Sequence, residues 1–396
     1  MRGLYTFGIR TYALGVKLAA RFGNAKARLW VEGRKKPLPQ ANDDEAWVWF
    51  HAASLGEFEQ GRPLIEALKQ QYPQLKVSLT FFSPSGYEVR KDYPLADEVL
   101  YLPIDTMKNA RMWVDRHRFV AAFFIKYEFW FNYMKALADK GIPLYYISLI
   151  LKPDQYFFKW YGGWFRKQLE NVAHFFVQDE TTLNLLHDFD NVTLCGDTRF
   201  DRVAAIARTA KRFPEIENFI NGRKCIIAGS TWPPDEKLLI PYLERLPDDY
   251  CMIIAPHDIS EKHIKQIREA LKDIRPDKVH LIDTVGILSQ LYQYARFVYI
   301  GGGFGVNIHN IQEPVTFGCP VVFGPKYKSF KEAVDLIKLG GAFSINDQSE
   351  LNQIFDRLAN DEAFRNKASE TCKDYLNAQL GATDLIMKEI TSTFSF

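Results

Sequence analysis

Two carboxylates stand out by their surroundings. In HAASLGEFEQG, residues 51 to 61, Glu57 follows Ser54 by three positions, just beyond the apolar run AWVWF. Ser-x-x-Glu is the pattern of a helix capping box. It is equally a pattern that holds a carboxylate at the mouth of a cleft, where it can take a proton from a hydroxyl. In IKYEFW, residues 125 to 130, Glu128 follows a second apolar run and sits among Tyr127, Phe129 and Trp130. Partial burial among aromatics would raise its pKa. The plainer reading is a solvated glutamate that opens a helix and complements its dipole.

Two other loops carry the chemistry of anion and nucleotide binding. In AGSTWPPDE, residues 228 to 236, a strand ends at Gly229. Ser230 or Thr231 can then cap a helix, with Pro233 or Pro234 in its first turn. The free N–H groups of such a turn bind phosphate well; the plainer reading is an ordinary strand-to-helix cap. In GGGFGVNIHNIQEPVTFGCPVVFGP, residues 301 to 325, glycines let a backbone approach a ligand closely. The dinucleotide fingerprint GxGxxG fails at Val306, and no GxxxxGK[ST] loop occurs. The loop instead supplies Asn307, His309, Asn310 and Glu313, then Pro314. A glutamate opening a helix beside a glycine loop can accept both hydroxyls of a ribose.

The elements that must position these loops are legible as alternating runs. AWVWFHA, KVSLTFF, EVLYLPI, FVAAFFI, PLYYISLI, HFFVQ and VTLCG are short, apolar and rich in β-branched and aromatic residues. Continuous rather than alternating hydrophobicity suits strands buried on both faces of a parallel sheet. Helical patterns such as RPLIEALKQQY and FNYMKALADKG lie between them, which makes a βαβ series. After residue 200 the series pauses in a charged helical stretch. It resumes with KCIIAGS, YCMIIAP, VHLID, FVYIGG and PVVFGP. The expected architecture is α/β, with two Rossmann-like domains facing a central cleft. Its expected parts are a basic segment 1–36, a first domain 37–205, a second domain 206–370 and a helix over 371–396 that packs back on the first. Ligands in open α/β sheets bind beyond the carboxyl ends of the strands. All four loops lie there.

Pro63 bears on the capping-box reading. In a regular helix begun at Ser54 it would fall well inside, at a cost of about 3 kcal/mol or more. A broken turn over 54–60 is the simpler expectation, with the regular helix starting near Gly61; a kinked helix from Ser54 stays open. The Leu55–Gly56 turn would then aim Glu57 into the cleft rather than back at Ser54.

Composition narrows the class. The 396 residues suffice for two full cores. A net charge of +2 excludes the chain as a whole from nucleic-acid binding. The five cysteines lie far apart without CxxC spacing, as buried free thiols would, and form no metal site. The first thirty residues differ from the rest. They hold Arg2, Arg10, Lys17, Arg21, Lys26 and Arg28, no acidic residue, and Leu4, Phe7, Leu14, Leu18 and Phe22 between the charges. No apolar stretch there approaches the roughly 20 residues of a spanning helix. A basic amphipathic helix of this kind suits the surface of an anionic membrane; the alternative is a helix packed on the protein's own body.

Several motifs in one order carry a resemblance: HAASLGE, FFSPSGYE, YEFW, AGSTWPPDE, VGILSQLY and GGGFGVNIHNIQEP followed by GCPVVFGP. With them the chain resembles the Kdo (3-deoxy-D-manno-octulosonic acid) transferases of lipopolysaccharide synthesis, along most of its length. That resemblance implies a GT-B glycosyltransferase fold, CMP-Kdo as donor and the lipid A precursor lipid IVA as acceptor. It implies the cytoplasmic face of the inner membrane as location, and no cofactor or metal. Glu57 matches the general base and Glu128 a second glutamate on the acceptor side, where Ser54, Gly56 and Lys126 also fall. The donor side takes in Ser230, Thr231, His257, Gly302, Gly303, Asn307, His309, Asn310 and Glu313, with Glu313 as ribose partner. Two departures stand out. The family's Pro-Arg-His is Pro256, His257, Asp258 here, so His257, Lys326 or Lys328 must meet the donor's negative charge. The two glycines often found before the histidine of HNxxEP are Asn307 and Ile308.

The implied reaction is direct displacement with inversion, one carboxylate acting as base and CMP leaving. No Asp-x-Asp metal motif is present. The competing readings are a transferase or epimerase for another nucleotide sugar and a non-catalytic nucleotide-sugar-binding protein on the same fold. The failed fingerprint speaks against a dehydrogenase.

Overall fold

A computed structural model describes residues 1–39 and 42–394. The chain divides into two compact units: Met1–Asp201 with Gly381–Phe396, and Arg202–Leu380.

The first unit holds a seven-stranded parallel sheet. Its strands are β1 (Asn42–Ala52), β2 (Lys76–Phe81), β3 (Glu98–Tyr101), β4 (His117–Ile125), β5 (Leu144–Leu149), β6 (His174–Val177) and β7 (Val192–Leu194). They lie in the order β3-β2-β1-β4-β5-β6-β7. Each apolar run of the first series is one of these strands. The period of two sends their side chains to opposite faces. Val48 and Phe50 of β1 enter one core with Phe123 of β4; Trp47 and Trp49 enter the other with Phe124. Continuous hydrophobicity thus reflects helices on both sides.

The helix Leu55–Gln71 covers the first of these faces with Phe58, Leu64, Ile65 and Leu68. It is one helix, with Ser54 as N-cap and Pro63 inside it. The expected broken turn over 54–60 is not there. The Phe58 N–H already bonds to the Ser54 carbonyl at 3.1 Å. Pro63 removes one bond, to the carbonyl four residues back, and the burial of four large side chains on this face offsets that loss. Gly61 permits the close approach: a Cβ there would lie 2.8 Å from Ile125 Cδ1.

The second unit repeats the plan with six parallel strands: β8 (Lys224–Thr231), β9 (Tyr250–Pro256), β10 (Val279–Leu281), β11 (Ala295–Ile300), β12 (Val321–Phe323) and β13 (Ala342–Ser344). Their order is β10-β9-β8-β11-β12-β13. The strand β13 was not foreseen, because three residues beside two glycines carry too little apolar signal.

The chain leaves the first unit within the helix Arg199–Arg208 and re-enters it at Gly381. These points differ from the expected 205/206 and 370/371. The helix Glu362–Gln379 runs unbroken through residue 371 and buries Cys372, Tyr375 and Leu376 in its own unit. The break comes at Gly381, whose φ of 99° suits glycine. There the Asp201 carboxylate accepts the N–H groups of Gly381 and Thr383, each at 2.7 Å. It so caps the helix Ala382–Ile390, which places Ile386, Met387 and Ile390 in the first unit's core.

The first helix, Arg2–Arg21, buries only Ala13. Tyr5 donates to Asp105 at 2.6 Å, and Arg2 to the Phe131 carbonyl at 2.6 Å, so its beginning is pinned to the sheet domain. Leu4, Phe7, Leu14 and Leu18 are exposed and recur at helical spacing along one stripe. No helix among the described residues is long and apolar enough to cross a membrane.

Candidate active site

In the first unit the site forms where β1 and β4, neighbours in the sheet, end. The Ser54 hydroxyl donates to Glu57 Oε2. The capping-box pattern is therefore used differently from either expectation. Ser54 makes no side-chain bond to a helix N–H, and the carboxylate turns back to the serine hydroxyl instead of away from it. Gly56 is exposed beside it.

Glu128 is 12% exposed and held by a network that composition alone does not reveal. Trp130 Nε1 donates to Glu128 Oε2 at 3.0 Å and to His51 Nε2 at 2.9 Å. Because Nε2 accepts, the His51 proton sits on Nδ1, which donates to Thr80 Oγ1 at 2.9 Å. Thr80 also accepts from Trp49 Nε1 at 2.8 Å and donates to the Phe50 carbonyl at 3.2 Å. His51 and Thr80 are fully buried. Every polar group named in this chain is satisfied, which fixes rotamers and tautomer together. Glu128 does not open a helix: the next one starts at Phe131.

Lys126, at the end of β4, has φ 58°, a left-handed conformation that costs a lysine of order 1–3 kcal/mol. The turn it makes carries Tyr127. Burial pushes the Tyr127 phenol up, and the charges of Glu57 and Glu128 push it the same way. Both carboxylates are thus within electrostatic reach of one phenol. His51, Thr80 and Trp130 were missed as site residues. The available signal was period: His51 follows Trp49 by two in the strand and shares its face.

In the second unit the expected residues gather at the ends of β8, β9 and β11, with different duties. Trp232, not Ser230 or Thr231, is the N-cap of the helix Pro233–Tyr242. Thr231 is fully buried, its hydroxyl committed to Glu236 at 3.0 Å. Ser230 adopts φ 53°. The helix start is tied down by Asp235, an acid in its first turn. It accepts from the N–H groups of Trp232 and Gly302, each at 2.9 Å, and from the Tyr299 hydroxyl at 2.7 Å. Burial raises its pKa and these three donors pull against that rise.

The glycines are needed by contact. A Cβ on Gly301 would lie 2.3 Å from the Ser230 carbonyl, and one on Gly303 would lie 2.7 Å from the Gly324 backbone. Gly302 adds φ 92°. Above them lie three rings. Trp232 Nε1 donates to His309 Nε2 at 2.9 Å with the rings 12° apart, so the two form one platform. His257 stacks on it, 4.8 Å from Trp232 and 4.3 Å from His309. Burial, then the neighbouring His257, lowers the His309 pKa to about 4.

Asn310 accepts the Gln312 N–H at 2.9 Å and donates to Glu313 at 3.3 Å. Asn307 accepts from the Ser329 hydroxyl at 3.0 Å. Lys326 donates to the Gly305 carbonyl, and Lys328 is exposed nearby in the chain. Among the described residues no group of three or more His, Cys, Asp or Glu could hold a metal ion.

The comparisons with known proteins agree on kinship. Residues 17–202, which include Ser54, Glu57, Lys126 and Glu128, match the family model described as 3-Deoxy-D-manno-octulosonic-acid transferase (kdotransferase). A Bordetella pertussis protein named 3-deoxy-D-manno-octulosonic acid transferase is 27% identical over 423 residues, covering 96% of this chain and 97% of its own. The chain is thus similar to Kdo transferases along nearly its whole length. A Rickettsia bellii protein of the same name is 23% identical over 337 residues, 80% of each chain. The similarity to proteins of this name supports an enzyme, a glycosyltransferase. The crystal structure of UDP-GlcNAc 2-epimerase from Neisseria meningitidis bound to UDP-GlcNAc superposes with a TM-score of 0.64. It is 15% identical and covers 88% of this chain and 100% of its own. That likeness is one of fold, the two-domain parallel α/β plan of GT-B enzymes.

Proposed function

We propose that this protein is a Kdo transferase, moving Kdo from CMP-Kdo to lipid IVA at the surface of the inner membrane, on its cytoplasmic face. The observation that carries the reading is the pair Glu57 and Glu128, at the ends of adjacent strands and both in reach of the Tyr127 phenol.

A sugar hydroxyl is a poor nucleophile at neutral pH, and a carboxylate in hydrogen-bond reach takes its proton in the transition state. Glu57 is that base. Ser54 engages Oε2, which leaves Oε1 for the acceptor's proton. The acceptor oxygen attacks the anomeric carbon of Kdo as the bond to CMP breaks, with inversion and no covalent intermediate. Glu128, held by Trp130 beside His51, orients the acceptor with Gly56 and Lys126. On the donor side the glycine loop and the start of the Pro233–Tyr242 helix offer backbone N–H groups to the leaving phosphate. His257 and Lys326 meet the donor's negative charge there, and Glu313 with Asn310 takes the ribose.

The first helix supports the membrane reading. Its stripe of Leu4, Phe7, Leu14 and Leu18 is exposed, with Arg10, Lys17 and Arg21 along one side.

The test is incubation with CMP-Kdo and lipid IVA, measuring product mass and released CMP together. Growth of the acceptor by Kdo with matching CMP release is expected. The epimerase-like fold makes UDP-GlcNAc the natural parallel substrate; turnover of it, with none of CMP-Kdo, would overturn the proposal.

A further inference from the structure

Behind the donor-side residues lies a closed ring of contacts. The Thr231 hydroxyl donates to Glu236 Oε1 at 3.0 Å. Glu236 Oε2 lies 2.9 Å from His263 Nε2. His263 Nδ1 lies 2.8 Å from the Asp258 carbonyl. A carbonyl only accepts, so Nδ1 carries a proton; Nε2 faces a carboxylate, so a second proton there satisfies both contacts. His257, the residue before Asp258, sends its backbone N–H to the Thr231 carbonyl at 2.9 Å, which closes the ring. It joins the end of β8, the helix Pro233–Tyr242, the helix Glu261–Ala270 and the loop after β9.

Thr231, Glu236 and His263 are all buried. Burial alone would lower the His263 pKa; the Glu236 carboxylate and the Asp258 carbonyl outweigh it and raise the value above the ordinary one. The charged groups facing the ring are Glu236 from one helix and Asp258 from the loop. Lys237 lines the same groove, with Ile240 and Ile267 as apolar walls.

We propose that Glu236 and His263 are positioning residues of the donor site, a charged pair that holds the His257 loop against the end of β8. The proposal rests on the reading of this face as the nucleotide-sugar site. Loss of the second His263 proton leaves Glu236 Oε2 without its donor, and the loop slackens. Donor affinity therefore falls as pH rises through the raised His263 value. The phosphate's own ionisation, near pH 6, acts in the opposite direction.

The experiment is calorimetric titration of the full chain with CMP, and with UDP in parallel, from pH 6.5 to 9. It uses wild type, His263→Gln and Glu236→Gln, with thermal melts alongside. Wild-type affinity should fall as pH rises. Both variants should bind about tenfold more weakly at pH 6.5, the loss of one charge-assisted hydrogen bond, and lose the slope. Folded variants with wild-type affinity overturn the proposal. So does a slope that survives in His263→Gln. Should a variant fail to fold, a flat wild-type profile is enough to overturn it. Binding of UDP and not CMP overturns the donor reading instead, and the ring is then judged with UDP.

Discussion

The two sheets share the strand order 3-2-1-4-5-6 counted within each unit, to which the first adds a seventh strand at the β6 edge, and they differ in what stands at the strand ends. In the first unit the ends present side chains: Glu57 tied to Ser54, and Glu128 fixed by Trp130 beside His51. In the second they present backbone: three consecutive glycines whose neighbours leave no room for a Cβ, under a platform of Trp232 and His309. Topology sets where a ligand can sit. The loop residues set whether that place presents carboxylates or backbone N–H groups.

The largest expected effect breaks the first half of this contrast. Glu57→Gln should keep the fold and CMP binding, yet lose about 10²- to 10⁴-fold in transfer rate. Near-normal turnover of purified Glu57→Gln would remove the base from the first unit. The next breaks the second half. Gly301→Ala puts a Cβ 2.3 Å from the Ser230 carbonyl and 2.6 Å from Thr231 Cα. Both are backbone, so the strand end must shift, at about 1–3 kcal/mol. Denaturant melts should show that loss, and calorimetry a weakened nucleotide site; a stable variant with wild-type affinity would show that close packing there is dispensable.

The smallest sharpens the platform. His309 in the folded chain titrates at about 4, below its ordinary 6.5. The unfolded chain then binds more protons between these values, so this group's stabilisation is complete above about 6.5 and declines as pH falls toward 4. Thermal melts across that window should show His309→Phe with a shallower loss than wild type. Equal slopes would mean that the platform is not neutral His309.

The candidate site was partly legible. Glu57 and Glu128 stand out as candidates because a carboxylate just past an apolar run is rare enough to notice. Asp235 does not, because an acid in a first turn is common, and only the fold brings Gly302 N–H and Tyr299 to it. Pro63 misled in the other direction. Local chemistry charges a proline for its lost hydrogen bond, while the burial that offsets it comes from strands far away in sequence.

By itself the sequence determined the strand series, the resemblance to Kdo transferases and the loops at the strand ends, since apolar runs, glycines and motif order are local properties. It determined twelve of the thirteen strands in this way, all but the three-residue β13. Only the tertiary structure decided what each polar group does. It turned Glu57 back to Ser54, gave Thr231 to Glu236 instead of to a helix cap, and placed His51 behind Glu128. The physical reason is that a hydrogen bond needs a partner within about 3 Å: sequence neighbours such as Ser54 and Glu57 can face each other or not, and His51 meets Glu128 only because their strands are paired.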